Sequence, residues 1–305
     1  MSDPRPIGVF DSGVGGLTVL REILRRLPHE STVYLGDNAR TPYGPRPDDE
    51  VRRFSAECLD VLAARDVKAI VVACNTASSV ALSDLRRRYD LPILGVVRPG
   101  AVSAALATRN RRVGVIATTA TVRSRAYFNA IKDENPAVEV CEHATPALVP
   151  LVEKGILSGP EAEAAVADGL APLVGRRASD GEFIHPLPPE ARIDTLLLGC
   201  THYPLLRDLI QAAVGESVAI VDSATATASA LAELLSINAL EAPGTTRGTA
   251  ADAGRAGHEP PAESAARASH VQLTTGDVAA FHELAALLFG DAFPDVEAVA
   301  VGAGA

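Results

Sequence analysis

Residues 69–76 (Ala-Ile-Val-Val-Ala-Cys-Asn-Thr) and 194–204 (Asp-Thr-Leu-Leu-Leu-Gly-Cys-Thr-His-Tyr-Pro) share one grammar. Each is an apolar run too short for a helix, ends in a cysteine and a hydroxylated residue, and precedes a helical pattern. A buried parallel strand that delivers a thiol to the start of a helix gives that thiol a favourable field for ionising. Two such cysteines, Cys74 and Cys200, point to a paired-thiol site in which one sulfur takes a proton and the other gives one. Polar neighbours support this: Asn75 and Thr76 follow Cys74, and Thr201 and His202 follow Cys200. The carboxyl end of a parallel strand is also where α/β folds place ligands.

Other readings of the same residues are weaker. A small apolar residue closing a strand would account for Cys74 alone. A phosphatase-type loop needs Arg at position 80, which is Val. Cys200 and His202 fall short of a zinc site because no further Cys or His stands at a supporting spacing. A Cys–His hydrolase remains a competitor, although it leaves the second thiol unexplained. The string Asp11-Ser12-Gly13-Val14-Gly15-Gly16 closes a strand with a glycine loop that opens a helix, an arrangement able to hold a carboxylate-sized anion. It lacks the last glycine of a dinucleotide fingerprint, so Asp37 is a poor ribose ligand despite its distance. Glu153 alone reads as a solvated helix residue. The lysines, Lys68, Lys132 and Lys154, have charged neighbours or surface-like contexts, so none is placed for a Schiff base.

The elements that must position these groups alternate. Strands are expected at 7–10, 32–35, 69–73, 93–97, 113–117, 218–221 and 271–274. Helices are expected at 17–26, 49–65, 77–88, 101–108, 121–131, 160–174, 224–235 and 278–289, with a break at 97–100. This βα alternation calls for parallel sheets covered by helices. The 305 residues, 47% hydrophobic and without Trp, suffice for two such cores. The fold class expected is α/β, in two lobes with the substrate cleft between them. The first lobe is expected to be 1–98 plus 207–305, and the second 99–206.

Residues 241–270 contain no run able to offset ordering and read as a mobile insertion, and 176–192 reads as a loop. Cys58 and Cys141 read as ordinary buried thiols. The net charge of −10 argues against a nucleic-acid surface, and Arg86-Arg87-Arg88 reads as a solvated helix end. The opening residues show no charged-then-apolar signal arrangement and no apolar stretch approaches spanning length. A cytoplasmic protein with reduced cysteines and no membrane contact is expected.

Taken together, Asp11-Ser12-Gly13-Val14-Gly15-Gly16-Leu17-Thr18, Pro42-Tyr43-Gly44, Cys74-Asn75-Thr76-Ala77-Ser78 and Gly199-Cys200-Thr201-His202-Tyr203-Pro204 resemble the signature set of the glutamate racemases, in order and in approximate spacing. The resemblance implies cofactor-independent interconversion of L- and D-glutamate for peptidoglycan, with no metal. It implies Cys74 and Cys200 as the acid–base pair, Asp11 assisting at Cys74, and His202 and Glu153 assisting at Cys200. It also implies substrate contacts from Asp11, Ser12, Tyr43, Gly44, Asn75, Thr76, Thr118, Thr121, Thr201 and His202. A homodimer is the expected assembly. Thr145-Pro146 departs from the family's usual Cys-Pro, with packing consequences only. A non-catalytic small-acid sensor or inhibitory protein partner is the alternative function, and the intact cysteine pair disfavours it.

Overall fold

The computed structural model describes residues 2–177, 183–184, 188–244, 268–293 and 295–302. Most of the insertion expected at 241–270 therefore lies outside the described residues. The strands are β1 (Ile7–Asp11), β2 (Thr32–Gly36), β3 (Ala69–Val72), β4 (Ile93–Gly95), β5 (Arg112–Ala117), β6 (Glu139–Ala144), β7 (Arg176–Arg177), β8 (Phe183–Ile184), β9 (Thr195–Gly199), β10 (Ala219–Asp222), β11 (His270–Thr274) and β12 (Val296–Ala298). They form one sheet ordered β12-β11-β2-β1-β3-β4 and a second ordered β10-β9-β5-β6. Every pairing in both is parallel. Strands β7 and β8, inside the expected loop, pair antiparallel.

The unbroken apolar runs are explained by helices on both faces. Every residue of β1, β2, β3 and β9 is buried, as parallel strands between helical layers require. In the first sheet Val9 packs with Leu20 and Leu231 on one side, while Phe10 packs with Leu59 and Val72 on the other. In the second, Ile116 and Leu198 face one core and Val115 and Leu197 the other.

The strand orders matter more than the strand count. In the first sheet the chain leaves β1 for β2 on one side and returns to β3 on the other. In the second it leaves β5 for β6 on one side and returns to β9 on the other. Each sheet thus has a switch point, beside β1/β3 and β5/β9, where diverging connections open a crevice at the carboxyl ends. Cys74 follows β3 and Cys200 follows β9, so each thiol lies at a switch point.

Several expectations are corrected. Strand β10 pairs with β9, so residues 207–222 belong with the second sheet, not the first lobe. The chain returns at Ser223, and the helix Ala224–Ile237 packs Ala228, Leu231 and Leu235 into the first core. The outward crossing falls between Val96, in the first core, and Val97, in the second. The break expected at 97–100 is instead the first turn of a helix, Val97–Ala107. Pro99 is tolerated because first-turn N–H groups have no intrahelical acceptor. The helix expected at 121–131 is divided by Arg125, at φ 58°. Cys141 is exposed, because β6 is an edge strand. Among the described residues no helix is long and apolar enough to cross a membrane.

Lys68 also departs from its surface-like expectation. Its buried Nζ stands 2.5 Å from Glu30 Oε2 and donates to the Asp3 carbonyl at 2.8 Å. Glu30 Oε1 accepts from the Ala242 N–H at 2.7 Å. This pair ties the segments before β1 and after the helix Ala224–Ile237 to the first lobe. Lys68→Met strands a buried carboxylate, and should lower unfolding stability in urea by about 3–5 kcal/mol. Lys68→Met/Glu30→Leu should restore most of that loss.

Candidate active site

The site forms where the carboxyl ends of the two sheets meet. On the first sheet, β1 ends in Asp11, fully buried, whose Oδ2 accepts from the Gly13 N–H at 3.0 Å. The anion held by the glycine loop is therefore the chain's own carboxylate. Burial pushes the Asp11 carboxyl up, while the His202 charge and the N–H groups of Gly16 and Gly13 oppose it. A Cβ at Gly15 would stand 2.6 Å from the His202 ring and from Thr201 Oγ1. Only a glycine there lets the loops of the two lobes touch.

Cys74 caps the helix Asn75–Val80, and its Sγ accepts from the Ala77 N–H at 3.4 Å. The thiol donates to Ser12 Oγ, also at 3.4 Å. Burial pushes this thiol up to about 12, with the Asp11 charge acting in the same direction against Ser12 and the Ala77 N–H. The helix start alone suggested an ionised sulfur; burial and the neighbouring carboxylate outweigh it, and without substrate Cys74 keeps its proton.

Cys200 sits in a different field. His202 Nδ1 lies 3.7 Å from its Sγ, and His202 Nε2 lies 2.6 Å from Glu153 Oε1. Burial disfavours the imidazolium, but the hydrogen bonds and charges of Cys200 and Glu153 win and raise the imidazole well above its ordinary value. The two thiols thus stand in different surroundings, Ser12 and Asp11 beside Cys74 and the His202–Glu153 pair beside Cys200.

Between them lies a cavity of about 250 Å³. It is smaller than the roughly 300 Å³ at which drug-sized sites begin, and admits a small acid but no nucleotide. Its walls include Ser12, Tyr43, Gly44, Cys74, Asn75, Thr76, Thr118, Cys200, Thr201 and His202. Of the other candidates, Thr121 stands behind the wall, its hydroxyl 3.0 Å from that of Thr118. Asp11 receives a hydrogen bond from Thr201 Oγ1 at 3.3 Å, and Glu153 acts through His202. The Thr76 and Thr118 hydroxyls lie 2.9 Å apart across the two lobes. A larger cavity, about 840 Å³, opens between the helices Val97–Ala107 and Ala224–Ile237 and contains none of these candidates.

Residues missed from sequence complete the site. Thr41 and Thr119 line the cavity, and Pro146, Val149 and Pro150 supply an apolar wall. Thr41 precedes Pro42-Tyr43-Gly44 and Thr119 follows Thr118, a signal that adjacency could have supplied. Asp37 is fully buried, hydrogen-bonded by Tyr43 Oη, and also bound by Arg40 Nε at 2.7 Å and Thr275 Oγ1 at 2.6 Å. It holds a wall residue in place and is not a ribose ligand.

Two thiols face one small cavity, each at the switch point of its own parallel sheet, in a chain whose family makes it an amino-acid racemase. The chain belongs to the Asp/Glu/Hydantoin racemase family, whose model matches residues 7–231. It is 46% identical over 300 residues to the glutamate racemase of Beutenbergia cavernae, covering 97% of this chain and 93% of the relative. The structure of glutamate racemase isoform RacE1 from Bacillus anthracis matches with a TM-score of 0.82 at 36% identity, covering 97% of each chain. The glutamate racemase of Francisella tularensis in complex with D-glutamate matches with a TM-score of 0.78 at 29% identity, covering 98% of each.

Removing the Glu153 charge should pull the His202 titration midpoint down by at least about one unit in Glu153→Gln, read by imidazole NMR. Because the folded His202 midpoint is raised, its contribution to stability is full below about pH 6.5 and is lost as pH rises through the folded value. The destabilisation of Glu153→Gln should therefore be larger at pH 6 than at pH 9.

Proposed function

We infer that this protein interconverts L- and D-glutamate by a cofactor-independent two-thiol mechanism, supplying D-glutamate for peptidoglycan in the cytoplasm. The observation that carries the reading is that Cys74 and Cys200 line one small cavity from opposite lobes in unequal electrostatic fields.

When the α-hydrogen of the bound enantiomer faces Cys200, a thiolate there removes the proton and becomes a thiol. The electron pair left at the α-carbon delocalises into the α-carboxylate, where Asn, Thr and backbone N–H donors in a dry cleft stabilise it. Cys74 delivers its own proton to the opposite face, leaving a thiolate at Cys74 and the inverted amino acid in the cleft. The opposite enantiomer runs the same steps backwards. Asp11, with its carboxyl pushed up by burial, is placed to modulate the charge that appears on Cys74. His202 and Glu153 do the same for Cys200.

The Cys200–His202–Glu153 chain also has the form of a hydrolase triad. That reading gives Cys74 no task, although Cys74 faces the same cavity. The active assembly is taken as a homodimer, which sedimentation of the active enzyme tests.

Reduced protein incubated with L-glutamate in deuterated water should lose its substrate's circular dichroism while deuterium enters the α-position. Cys74→Ser and Cys200→Ser should each lower racemisation by about 10²–10⁴-fold. Folded wild-type protein that neither racemises nor exchanges would discard the reading. Full racemisation by Cys74→Ser would discard the two-thiol mechanism, and a covalent acyl-thiol intermediate that survives loss of Cys74 would move the reading to the hydrolase.

A further inference from the structure

One fully buried side chain outside the cavity touches the sequence neighbours of both thiols. Tyr127 begins the second residue of the helix Ala126–Glu134, in the second lobe, and is 0% exposed. Its hydroxyl accepts a hydrogen bond from Asn75 Nδ2 at 2.6 Å, and Asn75 follows Cys74 on the first lobe. Its ring packs on Gly199, which precedes Cys200: a Cβ at that glycine would stand 2.9 Å from Tyr127 Cε2.

The same side chain sits at both chain crossings. A Cβ at Gly100, just past the outward crossing, would meet Tyr127 Cε1 at 3.4 Å and Ser223 Cβ at 3.0 Å. Ser223 marks the return crossing. Asn75 lines the cavity, and its bond to Tyr127 through Nδ2 fixes the direction of its carbonyl oxygen. That oxygen is buried and has no partner within the protein. A buried acceptor left unpaired costs about 1–3 kcal/mol, a cost that a substrate N–H relieves on binding.

We propose that Tyr127 is a positioning residue: its ring sets the separation of the two thiol-bearing strand ends, and its hydroxyl aims Asn75 at the substrate. The proposal rests on the glutamate racemase reading above. A displacement of about 1 Å between reacting groups can cost 10²-fold in rate, so a rigid aromatic spacer between the strand ends bears directly on turnover.

The test separates the two roles. Tyr127→Phe keeps the spacer and removes the hydroxyl, whereas Tyr127→Leu shortens the spacer. Calorimetric binding of D-glutamate is measured beside kcat and KM in both directions, with folding checked by circular dichroism. Tyr127→Phe should raise Kd and KM about tenfold with kcat within about threefold, the scale of one lost hydrogen bond. In an Asn75→Ala background the same change should add less than about twofold, because both act through one amide. Tyr127→Leu should also lower kcat by about tenfold or more. A purely structural role would lower stability without that non-additivity. Tyr127→Phe indistinguishable from wild type, or penalties that multiply with Asn75→Ala, would overturn the proposal. Wild-type binding without turnover would sink the racemase reading, while the affinity comparison would still decide the role of Tyr127 towards Asn75.

Discussion

A tetrahedral carbon can be inverted through its proton only if one carrier stands on each face, and each carrier must be in the opposite protonation state from the other. One sheet presents its carboxyl-end residues from one side, so a single α/β lobe cannot enclose a substrate between two of them. Two sheets facing each other can. The close contact between the loop after β1 and the loop after β9 is what brings them together, and it depends on the missing side chain of Gly15. Thr18 Oγ1 secures the contact with hydrogen bonds to the Gly15 carbonyl at 2.8 Å and the Thr201 carbonyl at 3.2 Å.

Burial then makes chemically identical thiols unequal. At Cys74 burial and the buried carboxylate of Asp11 hold the proton in place against the Ser12 hydroxyl and the Ala77 N–H. Cys200 faces an imidazolium that Glu153 keeps charged against the cost of burial. Desolvation and local charge act in the same direction at the sulfur of Cys74. The strand–thiol–helix arrangement is repeated, while the electrostatics are not. The difference comes from what each thiol meets in its own lobe, Asp11 and Ser12 beside Cys74, His202 and Glu153 beside Cys200.

The parts legible in the sequence were those encoded locally. Apolar runs of four or five residues ending in Cys74 and Cys200 mark buried parallel strands with ligands at their carboxyl ends, and both thiols do line one cavity. Glu153 carries no such mark. In the short helix Leu148–Glu153 it looks like any solvated carboxylate, and its link to His202 exists only once the helix packs beside β9. The side of the molecule to which β10 belongs was illegible for a similar reason: the apolar run at 219–222 suits either sheet, and pairing is decided by a neighbour more than twenty residues away. Lys68 was misread because its partners Glu30 and Asp3 are brought to it by the fold. Tyr127 gave no signal, being one aromatic in a helical pattern.

The insertion of β11 between β12 and β2 has a consequence for biosynthesis. All strands of the second sheet lie between Arg112 and Asp222, so that sheet can be complete while the chain is still emerging from the ribosome. The first sheet must wait: β2 receives its neighbour only when His270–Thr274 arrives, and Thr275 then hydrogen-bonds Asp37, which carries Tyr43 at the cavity wall. A nascent chain that has already exposed both cysteines lacks the strand that finishes their surroundings. Both thiols are therefore synthesised before the strand that completes the enclosure around them.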